Sequence, residues 1–400
     1  MLCGMQSHDG PLTRLRRSHE ELVLDLLRKH GSLSRAELGK HSGLSRTTLY
    51  EIIGELVASG AVVASAPDPA LRKRGRPVET LTLNPEAGQA IGIDFARRAV
   101  HVAAANVAHE IVGSASEAHA ADLSWEDRVD LAQRLVGSLT GGALRLGPLN
   151  AIGAGVVGPV GDPGGEAAYA RGLDGLPGLL HKRFGVPVLL DNNTRLAALA
   201  ESVWGAAAGD QDVLYLRLSH GVGGGLVVGG SLHRGAYGLS GEFGHITVVP
   251  AGARCECGGD GCLETVASVG AVLDAYRAAG GHADDVTALL DALGSGDETA
   301  ESVLRSAGRQ VGLALAAVCN AVGPGVIVIG GELAAAGDAL VEPVEEALTA
   351  HILPLSRHRV DLRRATLGEV GGALGGIALV LHESPLLARY PAQPDSEEDA

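Results

Sequence analysis

The chain has 400 residues, 46% of them hydrophobic but only 3% aromatic, and a formal net charge of −15. That length exceeds one ordinary core and implies two or three domains, with interiors built from Ala, Val, Leu and Ile. No run of 18 or more apolar residues occurs, and residues 1–18 are polar and Arg-rich. Neither a membrane span nor a secretory leader is therefore expected, and a soluble, cytoplasmic protein is.

The charge is unevenly spread. Residues 1–85 carry 12 Lys/Arg against 9 Asp/Glu, a net of +3, and the other 315 carry 20 against 38, a net of −18. A basic head on an acidic body is the asymmetry expected when only the head meets phosphate. Of five cysteines, Cys255, Cys257 and Cys262 fall within eight residues. That is metal spacing, not a disulfide framework. Cys3 and Cys319 stand apart from it, the latter as a small apolar core residue.

In chain order, residues 20–29 place Leu22, Val23, Leu26 and Leu27 at helical spacing, closed by Gly31. Ser34 caps a second helix, with Glu37 three residues on as the other half of a capping box. A turn through Gly43 leads to a third helix, capped by Ser45 and ended by Gly60. Residues 61–65 and 78–83 read as two β arms around a Pro- and Arg-rich tip. Together these make a winged helix-turn-helix over residues 1–85, ending at the Asn84-Pro85 turn. The start of its third helix carries Ser45, Arg46, Thr47, Thr48 and Tyr50. That end enters the major groove, where Arg pairs with guanine and hydroxyls meet phosphates. The arm Arg74-Gly75-Arg76 suits a narrow, electronegative minor groove.

The remainder alternates strand-like and helical runs, the pattern of an α/β body of two lobes. Strands are expected over 91–95, in two further runs reaching about residue 120, and over 151–157, 186–191, 213–218, 225–228 and 326–329. Helices are expected over 124–138, 194–204 and 300–320, with a small-residue helix starting at 371. We divide the body into a first lobe, 86–205, completed by a C-terminal helix at about 371–390, and a second lobe, 206–370. Residues 391–400 read as a disordered acidic tail.

His245, Cys255, Cys257 and Cys262 offer one imidazole and three thiolates, a full tetrahedral shell with no open position. That composition marks a structural Zn2+ site, not a hydrolytic one. A glycine-rich segment, residues 221–225, is either a phosphate-cradling turn or a plain hairpin, and Gly330-Gly331 either approaches a nucleoside or starts a helix.

The run from Gly221 to Glu264, with Gly-Glu-x-Gly-His followed by Cys-x-Cys-Gly-x-x-Gly-Cys-x-Glu, resembles the ROK (repressor, open reading frame, kinase) family. The head and the junctions Gly75-Arg76-Pro77 and Leu83-Asn84-Pro85 resemble its transcriptional-regulator branch, over roughly residues 15–385. The resemblance implies an actin-like (ribonuclease H-like), sugar-kinase-type body with a sugar between two lobes. It also implies homodimers or tetramers on palindromic double-stranded DNA operators.

Carried over by position, the family's sugar contacts fall on Asn192, Asn193, Glu242, His245 and Glu264. The kinases of the family place an Asp base where this chain has Asn193, and an amide cannot take a proton from a hydroxyl. They also follow the first strand with Asp-x-Gly-Gly-Thr, where this chain reads Asp94-Phe95-Ala96-Arg97-Arg98. Base and phosphate loop are both lost, so no catalytic residue is assigned and no enzyme activity is expected. The expectation is a sequence-specific transcriptional regulator, most often a repressor, of sugar metabolism genes. The alternative is an ATP-dependent sugar kinase with an appended DNA-binding head, for which Asp191 would serve as a recruited base.

Overall fold

The computed structural model describes residues 19–65, 79–84, 89–106, 110–139, 152–161 and 173–383, apart from single positions 21, 25, 28, 59 and 174. The wing tip with Arg74, Gly75 and Arg76, and the tail 391–400, lie outside these residues.

The head is built from α1 (19–30), β1 (Leu33–Ser34), α2 (Arg35–Ser42), α3 (Arg46–Ala58), β2 (Val62–Ser65) and β3 (Thr80–Leu83). Its helix boundaries follow the sequence signals. Ser34 and Glu37 form the reciprocal capping box, and Gly31, Gly43 and Gly60 adopt positive φ at the turns. Ser45 accepts from the Thr48 amide at 3.2 Å, satisfying a donor that the first turn of α3 leaves open. Val23, Leu27, Leu38, Leu49, Ile52, Ile53 and Leu56 close one core. The three strands pair in the order β1-β3-β2, all antiparallel. Asn84 seals the wing's exit by donating to the Gly60 carbonyl at 2.8 Å.

The body contains two five-stranded sheets. The first has β4 (Gln89–Phe95), β5 (Ala99–Asn106), β6 (Ile111–Ala118), β7 (Ile152–Val156) and β8 (Val188–Asn192), in the order β6-β5-β4-β7-β8. The second has β9 (Val213–Leu218), β10 (Val222–Val228), β11 (Ser231–His233), β12 (Val326–Gly330) and β13 (Asp361–Arg364), in the order β11-β10-β9-β12-β13. Each sheet is an antiparallel meander of three strands followed by two parallel additions. One topology is thus used twice, the architecture of an actin-like sugar-kinase body.

Helices α4 (Trp125–Leu139) and α5 (Leu176–Phe184) join the outer core of the first sheet. The long α10 (Glu298–Val322) joins that of the second, with the short α7 (Glu264–Ala267), α8 (Val269–Ala278), α9 (Val286–Gly294) and α11 (Asp338–His351). Between the sheets lie α6 (Asn193–Val203) and α12 (Gly371–Glu383). Strand alternation explains the inner layer. Ile91, Ile93 and Phe95 of β4 face the outer core, while Ala90, Gly92 and Asp94 face α12. A Cβ at Gly92 would lie 1.7 Å from the Ala373 carbonyl, and one at Gly153 would lie 1.9 Å from that of Gly376. Glycine on both partners lets the helix lie directly on the strands.

Candidate DNA interface, metal centre and interlobe site

At the head, Arg46, Thr47 and Tyr50 project from the first turns of α3, Tyr50 with 48% of its surface exposed. Ser45 and Thr48 are joined hydroxyl to hydroxyl at 2.8 Å, so Ser45 serves the cap while remaining at the surface. The guanidinium carbons of Arg35 and Arg46 lie 4.8 and 5.8 Å from the centroid of the Tyr50 ring. Arg35 also bonds Glu79 at the base of the wing, at 3.2 Å. Sequence reading had no place for Arg35; the one available signal is a cation on the first residue of a helix, where the dipole disfavours it.

In the second lobe, His245, Cys255, Cys257 and Cys262 converge, with one donor atom of each within 4.8 Å of all the others. The elements that bring them together are glycine-dependent. Gly258 and Gly261 have positive φ, and a Cβ at Gly261 would lie 1.7 Å from the Val249 carbonyl. The loop closes through Cys255 N–H to the Gly259 carbonyl at 2.8 Å, and the Gly259 amide donates to Cys257 Sγ at 3.4 Å. That amide is the leading cause holding the Cys257 thiol below its usual pKa. Burial, followed by the neighbouring thiols, pushes Cys262 up to about 12. A cation at the centre of the four donors would reverse that cost, since it favours the thiolate. His245 directs Nδ1 toward Cys255 Sγ, at 3.6 Å, and Nε2 toward Glu242, at 4.0 Å. The four residues therefore form a set that could hold a metal ion.

Between the lobes, the glycine-rich segment is a strand and not a phosphate loop. Its turn is confined to residues 219–221, and residues 222–225 belong to β10. Each glycine answers a close approach. A Cβ at Gly223 would meet Thr194 Oγ1 at 3.0 Å, one at Gly224 the Phe243 ring at 2.6 Å, and one at Gly225 the Ala198 methyl at 2.7 Å. Gly241 and Gly244 likewise sit against the carbonyls of Gly224 and Val222. The Gly-Glu-x-Gly-His pattern is thus a turn laid flat on β10, with α6 on the strand's other face. Glu264 ties the metal loop to the same strand by accepting from the Val222 amide at 2.8 Å.

The residues expected to meet a sugar consequently form two groups. Asn192–Asn193 lie at the start of α6, whereas Glu242, His245 and Glu264 lie with the turn and the metal loop, and no hydrogen bond joins the groups among the described residues. Asn192 is the N-cap of α6: its Oδ1 accepts from the amides of Thr194 and Arg195, at 2.9 and 3.1 Å, and its Nδ2 donates to Gly158 at 2.8 Å. Asn193, 5% exposed, donates to Asp94 Oδ1 at 3.1 Å. Asp94 is fully buried, and its Oδ2 faces Gly372 at the start of α12 with no hydrogen-bond partner among the described residues. Burial, opposed by the charges of Arg217 and His101 and by the Asn193 bond, holds its carboxyl above the usual aspartate range.

Asp191 is enclosed in a buried ionic knot. Its Oδ1 accepts from Arg195 Nε at 2.7 Å and Nη2 at 2.6 Å, and its Oδ2 from Arg234 Nε at 2.5 Å. Arg195, 1% exposed, also donates to the carbonyls of Val160, at 2.7 Å, and of Gly238. A Cβ at Gly238 would meet Gly161 Cα at 2.8 Å, so the two loops touch backbone to backbone. One guanidinium from α6 therefore clasps a loop of each lobe. The spacing of Asp191 and Arg195, four residues apart, was visible in the sequence; that the pair lies buried against the loops of Val160 and Gly238 was not.

Residues 91–383 match the ROK family, and residues 17–63 match a winged helix-turn-helix DNA-binding domain. A glucokinase of Halalkalibacterium halodurans is 39% identical over 210 residues, covering 49% of this chain and 64% of that enzyme, so the chain spans less than two thirds of that relative. The xylose repressor of Caldicellulosiruptor bescii is 26% identical over 365 residues, covering 86% of this chain and 90% of the repressor. The crystal structure of a ROK family transcriptional regulator, a homolog of the E. coli MLC protein, superposes with a TM-score of 0.78 at 26% identity, covering 94% of this chain and 97% of that one. The repeated two-sheet body, the Gly-Glu-x-Gly-His turn on β10 and the three-cysteine loop behind it all lie within the matched residues, and the chain belongs to the ROK family.

Proposed function

We propose that this chain is a sequence-specific DNA-binding repressor of sugar-related genes, whose kinase-like body senses a sugar or sugar derivative and does not phosphorylate it. The observation that carries the reading is a winged helix-turn-helix head on a body whose candidate bases are disabled. Asn193 stands at the base position as an amide bonded to Asp94, and Asp191 has both oxygens engaged by guanidinium groups. An amide takes no proton from a sugar hydroxyl, and Asp191 could take one only at the expense of its ion pairs with Arg195 and Arg234.

In this reading Ser45, Arg46, Thr47, Thr48 and Tyr50 meet the major groove, and the arm Arg74-Gly75-Arg76 meets the minor groove. The DNA-binding unit is 1–85, and the lobes are 86–205 with 371–390, and 206–370. Two heads of a cytoplasmic homo-oligomer bind half-sites about one helical turn apart, and a ligand contacting Asn192, Asn193, Glu242, His245 and Glu264 changes lobe closure. A coupling of about 1–3 kcal/mol between the two sites makes a useful switch.

We infer that the metal is zinc. Zn–S and Zn–N bonds of about 2.3 and 2.05 Å at tetrahedral angles require S···S and N···S edges of about 3.8 and 3.6 Å. Cys257–Cys262 and His245–Cys255 are 3.7 and 3.6 Å apart. All four positions are filled by protein, so the ion braces the loop under β10 and the turn carrying Glu242.

The test is binding of the purified protein to DNA upstream of its own gene across a panel of sugars and sugar phosphates, with ADP formation followed in parallel. Sequence-specific binding altered by one sugar, without ADP release, is the expected result. Sugar-dependent ADP formation at ordinary kinase rates would restore the enzyme reading.

A further inference from the structure

Two cations occupy positions in the head that helix electrostatics disfavour. Arg35 is the first residue of α2 and Arg46 the first of α3, each at the positive end of a helix dipole. Both guanidinium groups face the ring of Tyr50, four residues into the groove-facing helix, which places a planar cation from each helix against one aromatic side chain. Arg35 is only 25% exposed and its Nε is committed to Glu79, one residue before β3. One side chain thus touches α2, α3 and the base of the wing.

Resting on the DNA-binding reading above, we propose that Arg35 is a specificity-positioning residue: it sets the ring of Tyr50 and, through Glu79, fixes the wing relative to α3. Tyr50 presents a hydroxyl that can donate or accept and a ring edge able to meet a thymine methyl, so its orientation decides which base edges it reads. Arg46 anchors it from the same helix only. Arg35 anchors it from the neighbouring helix and makes the angle of the ring depend on the wing. A flexible ammonium cannot replace this arrangement, because lying over a ring while bonding a carboxylate draws on the broad, multi-donor fork of arginine.

The test uses the full chain. Wild-type protein first enriches a preferred duplex from a random pool; affinities for that duplex and a scrambled one are then measured over a range of salt. For Arg35→Lys the ratio of the two affinities should fall roughly 3- to 10-fold, because the charge stays while the guanidinium that spans Tyr50 and Glu79 is removed. The slope of log affinity against log salt should stay at the wild-type value, since no phosphate-facing charge is removed. A Lys variant matching wild type in both ratio and slope overturns the proposal. Glu79→Gln provides a second arm that keeps Arg35 intact. If only net charge matters, it strengthens binding to both duplexes by one factor, and the proposal fails; a reduced ratio supports it. Should the wild-type chain enrich no sequence at all, the DNA-binding reading itself fails and takes the inference with it.

Discussion

Asp94 and Asn193 show how a single lost charge is accommodated. Asn193 takes the place of the aspartate expected from the resemblance to the family's kinases, and its amide donates to Asp94 at 3.1 Å. Asn193→Asp puts two carboxyls together in a buried site, where one must stay protonated. We expect a loss of about 1–3 kcal/mol at neutral pH, recovered as pH falls, with no kinase turnover gained. Urea titrations at several pH values together with an ADP assay check both parts, and brisk turnover would contradict the inactive-body reading.

Asp94 itself titrates above the usual 3.8 because burial disfavours its charge. A carboxyl raised in this way contributes its stability below the unfolded value and loses it as pH rises through the folded value. Asp94→Asn removes that contribution and keeps an acceptor for Asn193. Its unfolding midpoint relative to wild type should therefore climb as pH rises from about 4 toward neutrality. Parallel curves would mean that Asp94 ionises over the same pH range in the folded and unfolded chain, so that burial does not raise its carboxyl. At the metal loop, Cys257→Ser should abolish stoichiometric zinc, measured by elemental analysis, and lower the thermal midpoint. Full retention of metal would remove Cys257 from the shell.

Among the elements, α6 carries the most consequence. Its N-cap Asn192 holds Gly158, its first residue meets Asp94, and Arg195 clasps loops from both lobes. Arg195→Ala leaves Asp191 with Arg234 but strips one guanidinium from a buried pair, which should cost about 3–5 kcal/mol in urea unfolding. Faster hydrogen exchange should then appear at residues 158–161 and 235–241. A loss below about 1 kcal/mol would show that the clasp is not structural.

Much at this scale was legible. The caps at Ser34 and Ser45, the glycine stops and the runs that became α4, α6 and α10 all rest on local rules. The role of β10 was not legible, since glycines in a strand mark contact with partners distant in sequence. Helices α8, α9 and α11 also went unread. Their apolar faces pack on one another and on α10, so the reason for their placement lies across the fold.

At the scale of the whole molecule, the charges divide the labour. A head of net +3 attracts phosphate while a body of net −18 repels it, which disfavours DNA contacts away from the head. Operator affinity should therefore fall steadily as salt rises, with a linear log–log slope set by the phosphates neutralised. An affinity flat from low to physiological salt would rule out binding through the basic arm and α3.

The sequence by itself determined the winged head, the four residues that could hold a metal ion, and the family, because caps, donor spacing and residue chemistry are local properties. Tertiary structure decided that the glycines of 221–225 form a strand pressed between α6 and the Gly-Glu-x-Gly-His turn. It also decided that Asn192 is tied to Gly158, that Asp191 lies between two arginines, and that Arg35 reaches both Tyr50 and the wing. Those outcomes depend on which distant segments are pressed together, where the two sheets close on α6 and α12 and where the wing returns to α2 and α3, and contacts of that range leave no periodic trace along the chain.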